Sequence, residues 1–233
     1  MIKLKVKRIL NKFLAFFDLE ITRIKEPSHY SLKIAEIFYS KYGHGKSFSS
    51  GRSIDENESQ IPWFTYPAIE YLKQLDLKNK LMLEWGGTGS SSAFFAKRVK
   101  GLYSIEHNEE WYKEVLSQEI PNHNLFLADS NYITIADDFN KLFDIICIDG
   151  IKRNACVKKS LSIMNKGGLI ILDNSDRSPE LGSFLRKEGF LQVDFHGFGP
   201  INEYTWTTSL FFDRTIELSP ISIQPVIPVG GGF

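Results

Sequence analysis

Acidic residues recur at the ends of short apolar runs through the middle of this chain. Glu84 ends L-M-L-E, Glu106 ends Y-S-I-E, and Asp129 follows L-F-L-A. Asp149 ends I-I-C-I-D and Asp173 ends I-I-L-D. One acid in such a place is commonly a helix cap. Five in succession, gathered on one edge, would repel each other unless a donor-rich ligand or a cation relieved them. The first is followed by a glycine-rich turn, W-G-G-T-G-S, with Gly86, Gly87 and Gly89. Glycine lets backbone approach a ligand closely, and the first N–H groups of the helix that follows point towards it.

The acids meet only if the runs are parallel strands sharing an edge. The strands read Leu81–Leu83, Leu102–Ile105, Leu125–Leu127, Phe143–Ile148 and Leu169–Leu172, with helical spacing at 91–99, 109–119, 133–142 and 154–164. Such alternation implies right-handed crossovers and a parallel sheet with helices on both faces. Ligands of such sheets bind at the carboxyl ends of the strands. The pattern then changes. A helix at Leu181–Glu188 precedes two strands, Gly189–Phe195 and Thr205–Asp213, with little helical signal between them, so these should pair antiparallel. The expected fold is α/β: a Rossmann-like, doubly wound, mostly parallel seven-stranded sheet with a final antiparallel strand pair and an N-terminal helical extension.

The 233 residues are enough for one substantial domain and an appendage, and 42% apolar content allows a sizeable core. The 28 basic and 28 acidic residues cancel, which speaks against a nucleic-acid partner. Cys147 and Cys156 read as buried or helical thiols, which fits a reducing, cytoplasmic setting. No apolar run has transmembrane length and no secretory signal is evident. Residues 1–26 read as a basic amphipathic helix, with Ile2, Val6, Ile9, Leu10, Phe13, Leu14 and Phe17 opposite Lys3, Lys5, Lys7, Arg8 and Lys12. Its apolar face can dock on the domain or on a partner chain, including a second copy, or residues 1–17 can lie peripherally on a membrane.

Residues 27–79 read as a helical and loop cap. They contain a helix at Tyr30–Tyr42, a mobile polar loop over 43–60, and a helix from Pro67 to Leu75 capped by Thr65. G-H-G-K-S in that loop is not a phosphate loop, because a helix rather than a strand precedes it. Trp63 and Tyr66, just before the second helix, either anchor it or line the mouth of a pocket. The main domain is expected over 80–218, with an extended tail at 219–233.

The chemistry at the acidic edge suits S-adenosylmethionine, with its cationic sulfonium and ammonium groups, its ribose hydroxyls and its adenine amine. Glu106, twenty residues past Gly86, is placed to accept from both ribose hydroxyls, and Asp129 from the adenine amine. Glu84 and the backbone of Gly86 and Gly87 then face the methionine end. The successive motifs E-W-G-G-T-G, Y-S-I-E-H, L-A-D, F-D-I-I-C-I-D-G and G-G-L-I-I-L-D-N-S resemble those of class I S-adenosylmethionine-dependent methyltransferases over roughly residues 80–213. Thr88 and Ser90 stand where that family's pattern carries glycine. The resemblance implies cofactor contacts at Glu84, Gly86, Glu106 and Asp129, with Gly87 and Gly89 shaping the turn.

Asp149 with the Asp173-Asn174 pair also resembles the Mg²⁺ ligands of catechol-type O-methyltransferases. The other reading is that Asn174 caps a loop. Arg153 either clamps an acidic group on the acceptor or pairs with a local acid. His107, His196 and Asp149 are the candidate general bases, and the loop 197–204 completes the rim. The expected reaction is methyl transfer to oxygen of a small molecule or glycan. The runner-up is a nicotinamide-dependent oxidoreductase, disfavoured because Glu84 would repel a pyrophosphate. A non-catalytic cofactor-binding scaffold is the third reading.

Overall fold

The computed structural model describes Leu10, Leu14, residues 28–86 and residues 89–231. Apart from Leu10 and Leu14, the amphipathic helix expected at the N-terminus lies outside those residues, as do Gly87 and Thr88 of the glycine-rich turn. The chain divides into two units, Met1–Ile37 and Phe38–Phe233. Helix α1 (Ser28–Glu36) belongs to the first, and a π-helical turn follows it at Ile37–Lys41. No described helix is long and apolar enough to cross a membrane.

The second unit holds α2 (His44–Ser50), α3 (Tyr66–Lys73), β1 (Leu81–Trp85), α4 (Ser90–Ala96), β2 (Gly101–Glu106), α5 (Glu109–Leu116) and β3 (His123–Leu127). It continues with α6 (Ile135–Asp138), β4 (Phe143–Ile148), α7 (Arg153–Ile163), β5 (Met164–Leu172), α8 (Pro179–Lys187), β6 (Leu191–Gly197) and β7 (Trp206–Phe212). The seven strands form one sheet in the order β3-β2-β1-β4-β5-β7-β6. Only β7 runs antiparallel to its neighbours. This is the Rossmann-like, mostly parallel sheet with an antiparallel final pair that the sequence predicts. The direction of winding reverses between β1 and β4, which opens a crevice at their carboxyl ends.

Alternate residues of each central strand feed two cores. Met82, Ile145, Cys147, Leu169, Ile171 and Leu210 face one side, against Phe94 and Phe95 of α4. Leu83, Trp85, Ile146, Ile148, Ile170, Leu172 and Phe211 face the other, against Val157 of α7 and Leu185 of α8. Burial on both faces explains why β4 and β5 read as unbroken apolar runs. Gly167 and Gly168 lie within β5, where the pairing shifts from Phe143–Met164 to Ile145–Leu169.

Residues 38–79 pack into the core of the second unit. Phe64, Ile69 and Leu72 are fully buried in the first core with Met82 and Leu102. Thr65 ties α3 to the sheet edge: its N–H donates to Thr208 Oγ1 at 3.0 Å and its hydroxyl to the Phe195 carbonyl at 2.9 Å. The loop expected over 43–60 begins with a short helix, α2, which Ser47 ties to the segment that follows. That hydroxyl donates to the Ile54 carbonyl and accepts from the Ile54 N–H. The tail is partly anchored, because Ile221 donates to Gln74 and Asp76 to Ser219. Replacing Leu72 with Ala should therefore destabilise the whole domain by about 2–5 kcal/mol, the usual cost of such a core truncation. Chemical denaturation would show it as one cooperative shift. A separate early transition with the main one unmoved would show that 38–79 unfold independently.

Candidate functional site

All five strand-end acids stand at the carboxyl edge of the sheet, in different environments. Glu84 is 0% exposed and points into the first core. Its Oε2 accepts from Ser92 Oγ of α4 at 2.7 Å and Ser104 Oγ of β2 at 2.8 Å. Burial pushes its carboxyl above the usual range, opposed by the serine hydroxyls. Half-buried His123, whose Nε2 lies 2.9 Å from Ser104 Oγ, extends this polar chain, and desolvation lowers its pKa to about 4. Glu84 thus fastens α4 to β2 from inside.

Gly86 has φ +88°, and a Cβ there would lie 2.6 Å from both Cα and N of Gly150. Its N–H donates to the Ile105 carbonyl, while the N–H groups of Asp149 and Gly150 both donate to the Trp85 carbonyl. The loops after β1 and β4 are therefore in backbone contact at the crevice, which requires glycine at both positions. Gly89, also at positive φ (+75°), precedes α4 and packs against Gln118 and Val115 of α5.

Glu106 is 3% exposed at the end of β2. Its Oε1 accepts from the backbone N–H groups of His107 and Asn108, both at 2.8 Å, and lies 2.9 Å from His107 Nδ1. These contacts fix the carboxylate at the strand end. The His107 ring also meets the edge of Tyr132, with centroids 5.9 Å apart. Asp129 lies two residues beyond β3 and is exposed, its carbonyl accepting from the Tyr132 N–H.

Arg153, in the first turn of α7, joins the loops after β4 and β5. Its Nε donates to the Gly150 carbonyl at 3.1 Å, and Nη2 to the Asp149 carbonyl at 2.9 Å and to Asp149 Oδ1 at 3.1 Å. Nη1 donates to the Asp173 carbonyl, and Nη2 also reaches Asn174 Oδ1 at 3.4 Å. Asp173 is buried, and its Oδ1 accepts from Trp206 Nε1 at 3.0 Å and Thr208 Oγ1 at 2.5 Å. Two consequences follow for the sequence expectations. Arg153 is mostly engaged by the protein itself, so it braces the site instead of reaching out to clamp an acceptor. The donor set also does not fit Mg²⁺. A guanidinium already holds Asp149 and Asn174, and Asp173 Oδ1 is occupied by neutral donors. Among the described residues no cluster of His, Cys, Asp and Glu has metal-binding geometry.

Burial raises both carboxyls of this pair. Asp149 is pushed well up by desolvation and by Asp173, with Arg153 opposing. Burial likewise lifts Asp173 to about 6, against the hydrogen bonds from Thr208 and Trp206. A carboxyl with a raised folded-state pKa binds protons more tightly in the folded protein. Its cost is therefore absent at low pH, grows as pH rises from about 4 to 6, and is full above that. Asp173→Asn should remove this dependence. Its melting temperature relative to the parent should rise between pH 4 and pH 7, by an amount equivalent to about 2–3 kcal/mol. A constant difference across that range would contradict the assignment.

Trp63, Asp149, Arg153, Asp173 and Asn174, all expected at the site, line one cleft of about 260 Å³. Tyr66 does not. It is buried in an aromatic cluster with Phe38 and Tyr42, its hydroxyl 3.3 Å from His44 Nδ1, so it anchors α3 to the core. His196 also lies away from the cleft lining. It sits on the edge strand β6 opposite Thr207, with Nδ1 2.7 Å from Thr207 Oγ1. Of the three candidate bases, Asp149 is the one that lines the cleft. Asn202 and Tyr204, from the expected rim loop 197–204, complete it together with Arg177 and Trp206, which were not singled out from sequence. β6 ends at the carboxyl edge, which brings that loop to the cleft.

No family model and no curated protein matches the chain. Solved structures similar to it include a precorrin-6y C5,15-methyltransferase from Geobacter metallireducens, at 15% identity over 62% of this chain and 87% of that one, with a TM-score of 0.48. An rRNA methylase from Streptococcus thermophilus shows 12% identity over 64% of this chain and 93% of its own, at 0.46. A precorrin-8w decarboxylase from Methanobacterium thermoautotrophicum shows 18% identity over 66% and 92%, at 0.48. At such identities and scores the likeness assigns no activity, and the functional reading rests on the residues themselves.

Proposed function

We propose that this protein is a class I S-adenosylmethionine-dependent methyltransferase that methylates an oxygen of a small molecule or glycan. The observation that carries the reading is Glu106. It is a buried carboxylate fixed by two backbone N–H groups at the end of β2, on the strand next to the glycine-bearing turn of β1. A carboxylate so held is suited to accepting a pair of ribose hydroxyls, and exposed Asp129 beyond β3 is suited to an adenine amine. The bound cofactor would supply a methyl group on a cationic sulfur, activated for displacement.

The chain's own residues would do the rest. The Gly86–Gly150 contact sets the floor between cofactor and acceptor. Asp149, made more basic by burial and steered by Arg153, would accept a hydrogen bond from the acceptor hydroxyl and take its proton as the methyl group is transferred. His107, paired with Glu106, belongs to the cofactor end in this reading. Isothermal titration with S-adenosylhomocysteine and separately with NADH tests it. Binding of the first and not the second is expected. The reverse result would replace the methyltransferase reading with the dinucleotide one.

A further inference from the structure

The cleft at Asp149 adjoins a larger one. Trp63 lines both, and the consecutive residues Ile201 and Asn202 line one each. The second cleft has a volume of about 480 Å³, and its lining includes Arg52, Gln60, Trp111, Glu114 and Gln118. Three aromatic side chains stand exposed along this path: Trp111 at 40%, Trp63 at 39% and Tyr204 at 52%. An arginine lies in each cleft, Arg52 in one and Arg177 in the other, and among the described residues neither enters an ion pair. Ile201, at the junction, holds φ +72°. That is an uncommon conformation for a β-branched residue, of the kind that persists where surrounding structure holds a functional loop.

We infer that the acceptor is an anionic oligosaccharide that lies across Trp63, its sugar rings stacked on the exposed aromatics and its acidic groups held by Arg52 and Arg177. This inference rests on the methyltransferase reading for the reaction and deepens it by naming the acceptor class. Pyranose rings present apolar C–H faces to aromatic side chains, and their hydroxyls suit the amides of Gln60, Gln118 and Asn202. A compact acceptor would fill the Asp149 cleft and leave the larger one unused. A nucleic acid also stacks on aromatics, but it needs a run of cations to follow its phosphates. Here Glu114, Asp149 and Asp173 share the lining with the arginines.

The test is tryptophan fluorescence and calorimetric titration of the full chain, saturated with S-adenosylhomocysteine. The probes are a galacturonate hexamer, a heparin hexasaccharide, a neutral galactose hexamer and a uridylate hexamer. At least one acidic oligosaccharide should bind about tenfold or more tightly than the neutral one and than the RNA. Trp63→Ala and Arg177→Ala should each weaken it about fivefold or more, with S-adenosylhomocysteine affinity unchanged. Equal affinity for the neutral sugar, tighter binding of RNA, no binding of either acidic sugar, or no effect of Trp63→Ala would each overturn the inference. Cofactor binding separates the two claims. Acidic-sugar binding without S-adenosylhomocysteine binding would uphold the groove and remove methyl transfer, whereas the reverse would remove the groove alone.

Discussion

Arg153→Ala is expected to destabilise the protein by about 3 kcal/mol, and more at pH 8 than at pH 5. The side chain holds three backbone carbonyls, those of Asp149, Gly150 and Asp173, as well as the Asp149 carboxylate. Its removal leaves these acceptors without their partner and two neighbouring carboxyls without their cation. Removing one partner of a largely buried charge pair typically costs about 3–5 kcal/mol, and the lower figure suits a guanidinium that is partly exposed. For a chain of this length the melting temperature should fall by roughly 6–12 °C. The pH dependence follows from sign. Arg153 opposes the upward shift of both Asp149 and Asp173, so its loss raises their folded-state values further. The added cost is present when the carboxyls are ionised and is relieved as protons bind. Arg153→Lys keeps the charge but not the planar fork, so it should recover only part of the loss. Equal stability of Arg153→Ala at both pH values would show that the residue acts by packing and not by charge.

Much of the frame behind that site was legible in the sequence, for a definite reason. Strands β4 and β5 are buried on both faces, so I-I-C-I and L-I-I-L stand out without any periodicity. The antiparallel pairing of β6 and β7 was legible from the lack of a helix between them. Residues 38–79 were harder to read. Phe64, Ile69 and Leu72 complete a core whose other residues lie far along the chain, and local spacing says nothing of that. The same limit applies to Trp63 and Tyr66. Both are aromatic, three residues apart before one helix, yet one is an exposed lining residue and the other is buried. Arg153 illustrates the limit most directly. Its type announced an acidic partner, and Asp149 is one, but it also holds loop carbonyls after two strands, which only the closed crevice brings together. Glu84 read as one of five equivalent strand-end acids. Its serine partners, Ser92 and Ser104, face it across a helix and a neighbouring strand and turn it inward.

Glu106 carries the functional reading, so its substitution should have the largest effect on cofactor affinity. The carboxylate is anchored through Oε1 by two backbone donors and by His107. In the proposed complex it accepts from two ribose hydroxyls. Hydrogen bonds to a charged acceptor are worth about 1.5–3 kcal/mol each. Glu106→Ala would remove both and should weaken S-adenosylhomocysteine binding by roughly a hundredfold or more. It would also leave the N–H groups of His107 and Asn108 without their acceptor, so part of its effect would be structural. Glu106→Gln separates these contributions. The amide keeps the size and one acceptor oxygen while losing the charge, so a loss of about tenfold is expected with the melting temperature of the unliganded protein nearly unchanged. If both variants bind as the parent does, Glu106 is not a cofactor ligand. Its carboxylate is then a turn-closing group at the end of β2, and the methyltransferase reading loses the observation on which it stands.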